Sequence, residues 1–277
     1  MPFFVFAVVI SAALLHATWN AIVKSAGDKF LTTIMVATAA AALSGACLPF
    51  LRFPAPASWP YAFASALFQM AYFLLIARTY QMTDMSLAYP LMRGSAPLLV
   101  GVATAFRQAD ALSPVAWIGV IAISLGIFSI AFGTEVKDRR GVYLALLNAL
   151  VIAGYTLIDG TGVRRSAAPA AYTLWVFLLT GIPLAFWIMA ARRTMFVPYV
   201  RNYWRSGILG GIGTTASYGL ALWAMTIAPV AVVAALRETS ILFGTVIAGL
   251  VLKEHIGPRR IVSACIIACG AVILRLA

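Results

Sequence analysis

Apolar positions gather into ten runs of roughly 20 residues, at 3–23, 31–51, 60–78, 85–106, 114–132, 141–159, 171–190, 206–227, 230–252 and 259–276. A helix of that length rises 1.5 Å per residue and crosses ~30 Å of hydrocarbon. The pattern predicts an all-α integral membrane protein with ten transmembrane helices. The first run has no charged segment before it and no convincing cleavage site, so it reads as a retained span.

The last five runs echo the first five. Shifting the first half by 144 residues lays Arg93 on Arg237, Pro114 on Pro258 and Gly126 on Gly270. Asp110-Ala-Leu-Ser-Pro then meets Glu254-His-Ile-Gly-Pro. A shift of 136 lays ALLHATWNAI, from Ala13, on ALVIAGYTLI, from Ala149. Two matches in order, at nearly one offset, indicate duplication. The expected units are residues 1–136 (helices 1–5) and 137–277 (helices 6–10). Five spans is an odd number, so the second unit must be inverted relative to the first. Inverted-topology repeats around a midplane site are a common architecture of secondary transporters.

Composition narrows the class further. Apolar residues make up 63% of the chain and charged residues 10%, against roughly 25% charged in a soluble domain, so no soluble domain fits beside the ten runs. The net charge is +12. Most of that charge lies in short connections, where it suits anionic lipid headgroups rather than nucleic acid. The loops after helices 1, 3, 5, 7 and 9 carry 13 Lys and Arg, against 5 on the other side. The positive-inside rule therefore puts both termini outside, in the bacterial inner membrane. The longest connection, from Arg192 to Arg205, mixes arginines with Phe196, Tyr199, Tyr203 and Trp204 and reads as interfacial. Cys47, Cys265 and Cys269 read as small packing residues.

These features resemble the drug/metabolite transporter superfamily, in its EamA-type ten-helix form. The resemblance rests on the five-plus-five repeat and on an acidic residue closing helices 4 and 9. A short turn and a small-residue-rich helix follow each of them: Asp110, Pro114, Gly119, Gly126 and Glu254, Pro258, Ser263, Gly270. It rests also on SLAYPLMRGSAP at the entry to helix 4. Asp110 and Ser263 depart from the usual Glu and Gly. The resemblance implies alternating access and a cavity walled by helices 1, 3, 4 and 6, 8, 9, with 5 and 10 as scaffold. It also implies export of small metabolites, with an amino-acid subgroup that includes aromatic cargo.

Ionisable groups inside a bilayer are costly, so each is a candidate. Arg93 and Arg237 sit at matching depths in helices 4 and 9. Either they grip a carboxylate or phosphate, or they pair with Glu238, Asp84 or carbonyls. Glu238 is a candidate for a cargo amine or a coupling proton, or else a partner for Arg93. Asp159 closes helix 6 beside Tyr155 and Thr156, as a proton carrier or an interfacial cap. His16 is either a third proton candidate or interhelical glue. Trp19, Asn20, Tyr72, Tyr89, Tyr155, Thr156 and Tyr218 complete the candidate cargo wall, since Tyr and Trp offer a flat apolar face with a polar tip. Pro90, Pro97, Pro183 and Pro229 are candidate helix breaks that would open backbone groups to the cavity.

The reading is a non-enzymatic exporter of small amphipathic metabolites, aromatic or hydrophobic amino acids first, needing no cofactor and no metal. The alternatives are a multidrug-type exporter of aromatic cations and a nucleotide- or sugar-type permease. No His-Glu-x-x-His, Gly-x-Ser-x-Gly or ATP-binding loop occurs. The partners expected are a small molecule and the lipid bilayer, with no nucleic acid. One chain makes a complete pathway, so a monomer suffices, and a dimer is also compatible.

Overall fold

The computed structural model describes residues 1–25, 28–106, 111–131, 138–250 and 257–277. Asp110 and Glu254, which anchor the repeat alignment, lie outside the described residues, as do Arg107, Lys137 and Lys253. The α-helices in chain order are α1 (Phe3–Ser25), α2 (Lys29–Cys47), α3 (Trp59–Met82), α4 (Met85–Ala105), α5 (Pro114–Ile130), α6 (Arg139–Arg165), α7 (Pro169–Met225), α8 (Val230–Arg237), α9 (Ser240–Leu250) and α10 (Pro258–Leu276). Among the described residues there is no strand. Among the same residues, six helical stretches are long and apolar enough to cross a membrane, one of them α8 and α9 taken together.

The helix starts follow from local chemistry. Asp28 accepts the Leu31 amide at 2.9 Å and caps α2. Ser113 caps α5 through the Ala116 amide at 3.1 Å, with Pro114 in the first turn. Asp138 caps α6 through the Arg140 amide at 2.8 Å.

α7 runs for 57 residues, ~85 Å at 1.5 Å per residue, nearly three times the hydrocarbon thickness. It is therefore not a single crossing. Its backbone leaves helical geometry at Arg192 (φ −143°, ψ 34°) and Tyr203 (φ −121°, ψ 16°). These breaks bracket the segment expected to be interfacial. Tyr203 and Trp204 are exposed there, whereas Phe196 is buried against Leu31, Ile34 and Met35 of α2. Tyr199 shares a 2.6 Å hydrogen bond with Thr32.

Small residues set the close helix contacts, as expected where lipid supplies no hydrophobic drive between helices. α5 and α10 cross in opposite senses. A Cβ at Gly119 would sit 3.1 Å from the Gly270 carbonyl oxygen, and one at Gly126 would sit 3.1 Å from the Ser263 carbonyl oxygen. α3 lies against α6, where Phe68 covers Gly154. α1 lies against the second part of α7, where Ser217 donates to the Ala12 carbonyl at 2.8 Å. α2 packs both parts of α7, meeting Gly181 through Ala41 and Gly211 through Ala39. The outer faces are apolar and exposed, as at Phe186, Leu209 and Ile118. The three cysteines, expected as packing residues, are exposed.

The ninth apolar run is not one helix. It divides into α8 and α9, and the turn between them carries Glu238 and Thr239. There the amides of Glu238, Thr239, Ile241 and Leu242 each bond the carbonyl three residues back, at 2.9–3.1 Å. That is a local 3₁₀ tightening, a feature that often marks a functional hinge. The expected break at Pro90 is absent: Pro90 and Pro97 both lie within continuous α4.

Candidate functional site

The turn between α8 and α9 presents Glu238 to Arg93 of α4, and Arg237, the last residue of α8, meets Tyr218 of α7. Arg93, on α4, donates its Nε to Glu238 Oε2 at 2.8 Å. Both side chains are buried, with residue exposures of 7% and 4%. A buried pair of this kind is favourable only when the remaining donors are also satisfied. Arg93 Nη2 is not, being buried without a hydrogen-bond partner.

Arg237 is buried as well, and its guanidinium lies 4.9 Å from the centre of the Tyr218 ring. That is a cation–π contact. No salt bridge joins Arg237 to a carboxylate among the described residues. Arg93, Arg237 and Glu238 line one small cavity with Tyr155 and Thr156. Its space is about that of a single water molecule.

Aromatic side chains flank this centre. Tyr72 and Tyr155 meet edge to face at 6.3 Å, and Phe177 and Tyr218 meet at 5.9 Å. Tyr89 lies within reach of the Arg93 guanidinium, and the phenols of Tyr72 and Tyr155 are close enough to interact with it electrostatically.

Asp159 sits deeper than a span-closing cap would. α6 continues six residues beyond it, to Arg165, and the carboxylate is fully buried. Three hydroxyls donate to it: Ser65 at 2.8 Å, Tyr172 at 2.8 Å, and Tyr218. Ser65 and Tyr172 were not singled out from the sequence. Ser65 is one polar residue on a long apolar helix, and Tyr172 is one tyrosine among 10. Only the packing of α3 and α7 on α6 reveals them.

The helix 1 candidates stand apart. Trp19 donates its indole N–H to His16 Nδ1 at 3.3 Å. Asn20 donates to the His16 carbonyl of its own helix at 2.7 Å. Neither Trp19 nor Asn20 lines the central cavity, and Trp19 packs over Gly213. His16 lies within electrostatic range of both arginines.

The family model described as "EamA-like transporter family" matches residues 139–276. A solved structure titled only "Crystal structure of protein" superposes with a TM-score of 0.78 at 18% identity, covering 99% of this chain and 96% of that one. At that identity the likeness shows the fold alone. No curated protein matches the chain.

Proposed function

The chain belongs to the EamA-like transporter family of the drug/metabolite transporter superfamily; from that premise we propose that it exports small amphipathic carboxylates, aromatic and hydrophobic amino acids first. As a member of that family it is a multi-pass membrane protein that moves small metabolites. The finer reading concerns what it carries and how.

One observation carries this reading. Arg93 and Arg237 bring two guanidiniums to one cavity, with Arg93 Nη2 unpartnered and Arg237 outside any salt bridge among the described residues. A guanidinium offers a planar fork of donors that matches a carboxylate. Glu238 lies beside them and suits the ammonium of an amino acid. Tyr72, Tyr155 and Tyr218 offer aromatic faces for an apolar side chain. Two arginines at the centre disfavour a cationic drug as cargo, since like charges repel most strongly where water is excluded.

Alternating access fits the geometry. The cavity has room for about one water, so a cargo enters only when helices part. The 3₁₀ turn at Glu238–Thr239 gives helix 9 a hinge at the site itself.

Two inverted five-helix repeats, 1–136 and 137–277, account for the paired contacts. Under the 144-residue shift, Gly119 corresponds to Ser263 and Gly126 to Gly270. Gly119 touches Gly270, and Gly126 touches Ser263. Such reciprocal contacts are what a two-fold axis produces. Counting α7 as two crossings and α8 with α9 as one gives ten helices. One chain then contains both halves of the pathway, which makes a monomer sufficient, in the bacterial inner membrane.

The test is counterflow in liposomes holding the pure protein. Unlabelled phenylalanine, tryptophan or leucine inside should drive saturable uptake of the labelled form. Folded protein that shows no counterflow with any amino acid would exclude this cargo class.

A further inference from the structure

Asp159 is joined to the cargo site through one residue. The hydroxyl of Tyr218 donates to Asp159, and the ring of the same tyrosine lies under the Arg237 guanidinium at 4.9 Å. Tyr218 is thus held at both ends, by an anion at its tip and a cation on its face. Arg237 is also within electrostatic range of the Asp159 carboxylate.

The groups around Asp159 come from every helix packed on it. α3 supplies Ser65, with Gln69 donating to Ser65 from behind at 3.2 Å, and Tyr61 near Tyr172. α6 supplies Tyr155, one turn away. α7 supplies Tyr172 and Tyr218, and α8 supplies Arg237. Among the described residues, besides Arg165 over the Tyr61 ring at 5.1 Å, the cation in this set is Arg237. Counting Arg93, Glu238 and Asp159 with it, two positive and two negative charges meet in the centre of the protein.

We propose that Asp159 is a proton-binding site linked to the cargo site through Tyr218 and Arg237. This rests on the carboxylate-cargo reading above. An ionised carboxylate only accepts hydrogen bonds, and here three hydroxyls donate to it. Oδ2 accepts from both Ser65 and Tyr218, so a proton arriving there makes it a donor and leaves room for only one of them, and the other must turn. Tyr218 is the one whose release reaches the cargo site. A cargo carboxylate at Arg237 draws that cation away from Asp159, and a proton then replaces the lost positive charge. Asp159 has no exposed surface, so the proton enters or leaves only while the surrounding helices are parted.

Two measurements test this on the full chain in lipid nanodiscs. The first is infrared titration of the cargo-free protein between about pH 5 and pH 8, the window in which a linked group would alter stability or binding at working pH. A protonated-carboxyl band should grow as pH falls, persist in Glu238→Gln and vanish in Asp159→Asn. Tyr218→Phe keeps the ring under Arg237 and removes the hydroxyl, and it should shift the band's midpoint. No band in the wild type, or the same band in Asp159→Asn, overturns the proton site whether or not a cargo is known.

The second is calorimetric binding of phenylalanine in two buffers of different ionisation enthalpy. Net proton uptake by the wild type, lost in Asp159→Asn, supports the linkage. Binding without proton uptake overturns it. A protein that titrates at Asp159 but binds no amino acid overturns the cargo reading alone.

Discussion

Arg93 gives its Nε to Glu238 at 2.8 Å and keeps Nη2 buried without a partner. The two residues come from different ends of the chain, 145 positions apart. Their pairing ties α4 to the hinge between α8 and α9.

Breaking that pair from one side should be costly. Arg93→Leu leaves Glu238 buried without its hydrogen-bonded partner, with Arg237 as the remaining nearby cation, and the expected loss is up to about 3–5 kcal/mol. The double variant Arg93→Leu/Glu238→Leu should recover a large part of it. Thermal unfolding in detergent checks this. Equal losses in single and double variants would contradict it.

Arg237 behaves differently, because it takes part in no salt bridge among the described residues. Arg237→Ala should weaken cargo binding about 10- to 100-fold, the worth of a hydrogen bond to a charged group, and lower the melting temperature only by what its buried contact with Tyr218 contributes. The check is the apparent affinity in counterflow alongside a melting curve.

The α5–α10 crossing should tolerate no added side chain. A Cβ at Gly119 would come 2.6 Å from Leu274 and 3.1 Å from the Gly270 carbonyl oxygen. Gly119→Val should lower stability by about 1–3 kcal/mol through overpacking. Gly244→Ala is the control, since nothing lies within 4 Å of its Cβ position. Its effect should be neutral or mildly stabilising, as Ala favours helix.

Arg164 holds the turn after α7. Its Nε and Nη2 donate to the Met225 and Ala228 carbonyls at 2.7 and 3.0 Å. The Met225 carbonyl closes α7, where carbonyls lack a partner within the helix, and the Ala228 carbonyl lies in the turn that follows. Arg164→Ala should raise hydrogen exchange across residues 225–230, read by mass spectrometry, more than in the middle of α6. Unchanged exchange there would show that the clamp is dispensable.

Much of the fold was legible because the hydrophobic effect writes it in blocks. The third run, read as 60–78, is α3 at Trp59–Met82, and the tenth, read as 259–276, is α10 at Pro258–Leu276. The Arg93–Glu238 pairing was one of the two alternatives open from residue type and depth. What was not legible has physical reasons. α6 was read as ending at Asp159 because hydropathy falls through Gly160-Thr-Gly-Val-Arg-Arg. Helices continue through polar residues when caps and tertiary contacts hold them. From sequence Asp159 stays open between a proton carrier and an interfacial cap, because its donors arrive from α3 and α7 and no local pattern records that packing. The hinge at Glu238–Thr239 has no proline, so helix-breaker reasoning pointed to Pro90 instead.

The central claim is that Arg93 and Arg237 receive a carboxylate. The most direct test compares phenylalanine with phenethylamine, which keeps the ring and the ammonium and lacks the carboxylate. Binding to the purified protein would be measured by calorimetry in the wild type and in Arg237→Ala. The account predicts that the wild type binds phenylalanine and rejects the amine, and that Arg237→Ala loses this discrimination. Equal binding of the two ligands by the wild type would contradict it.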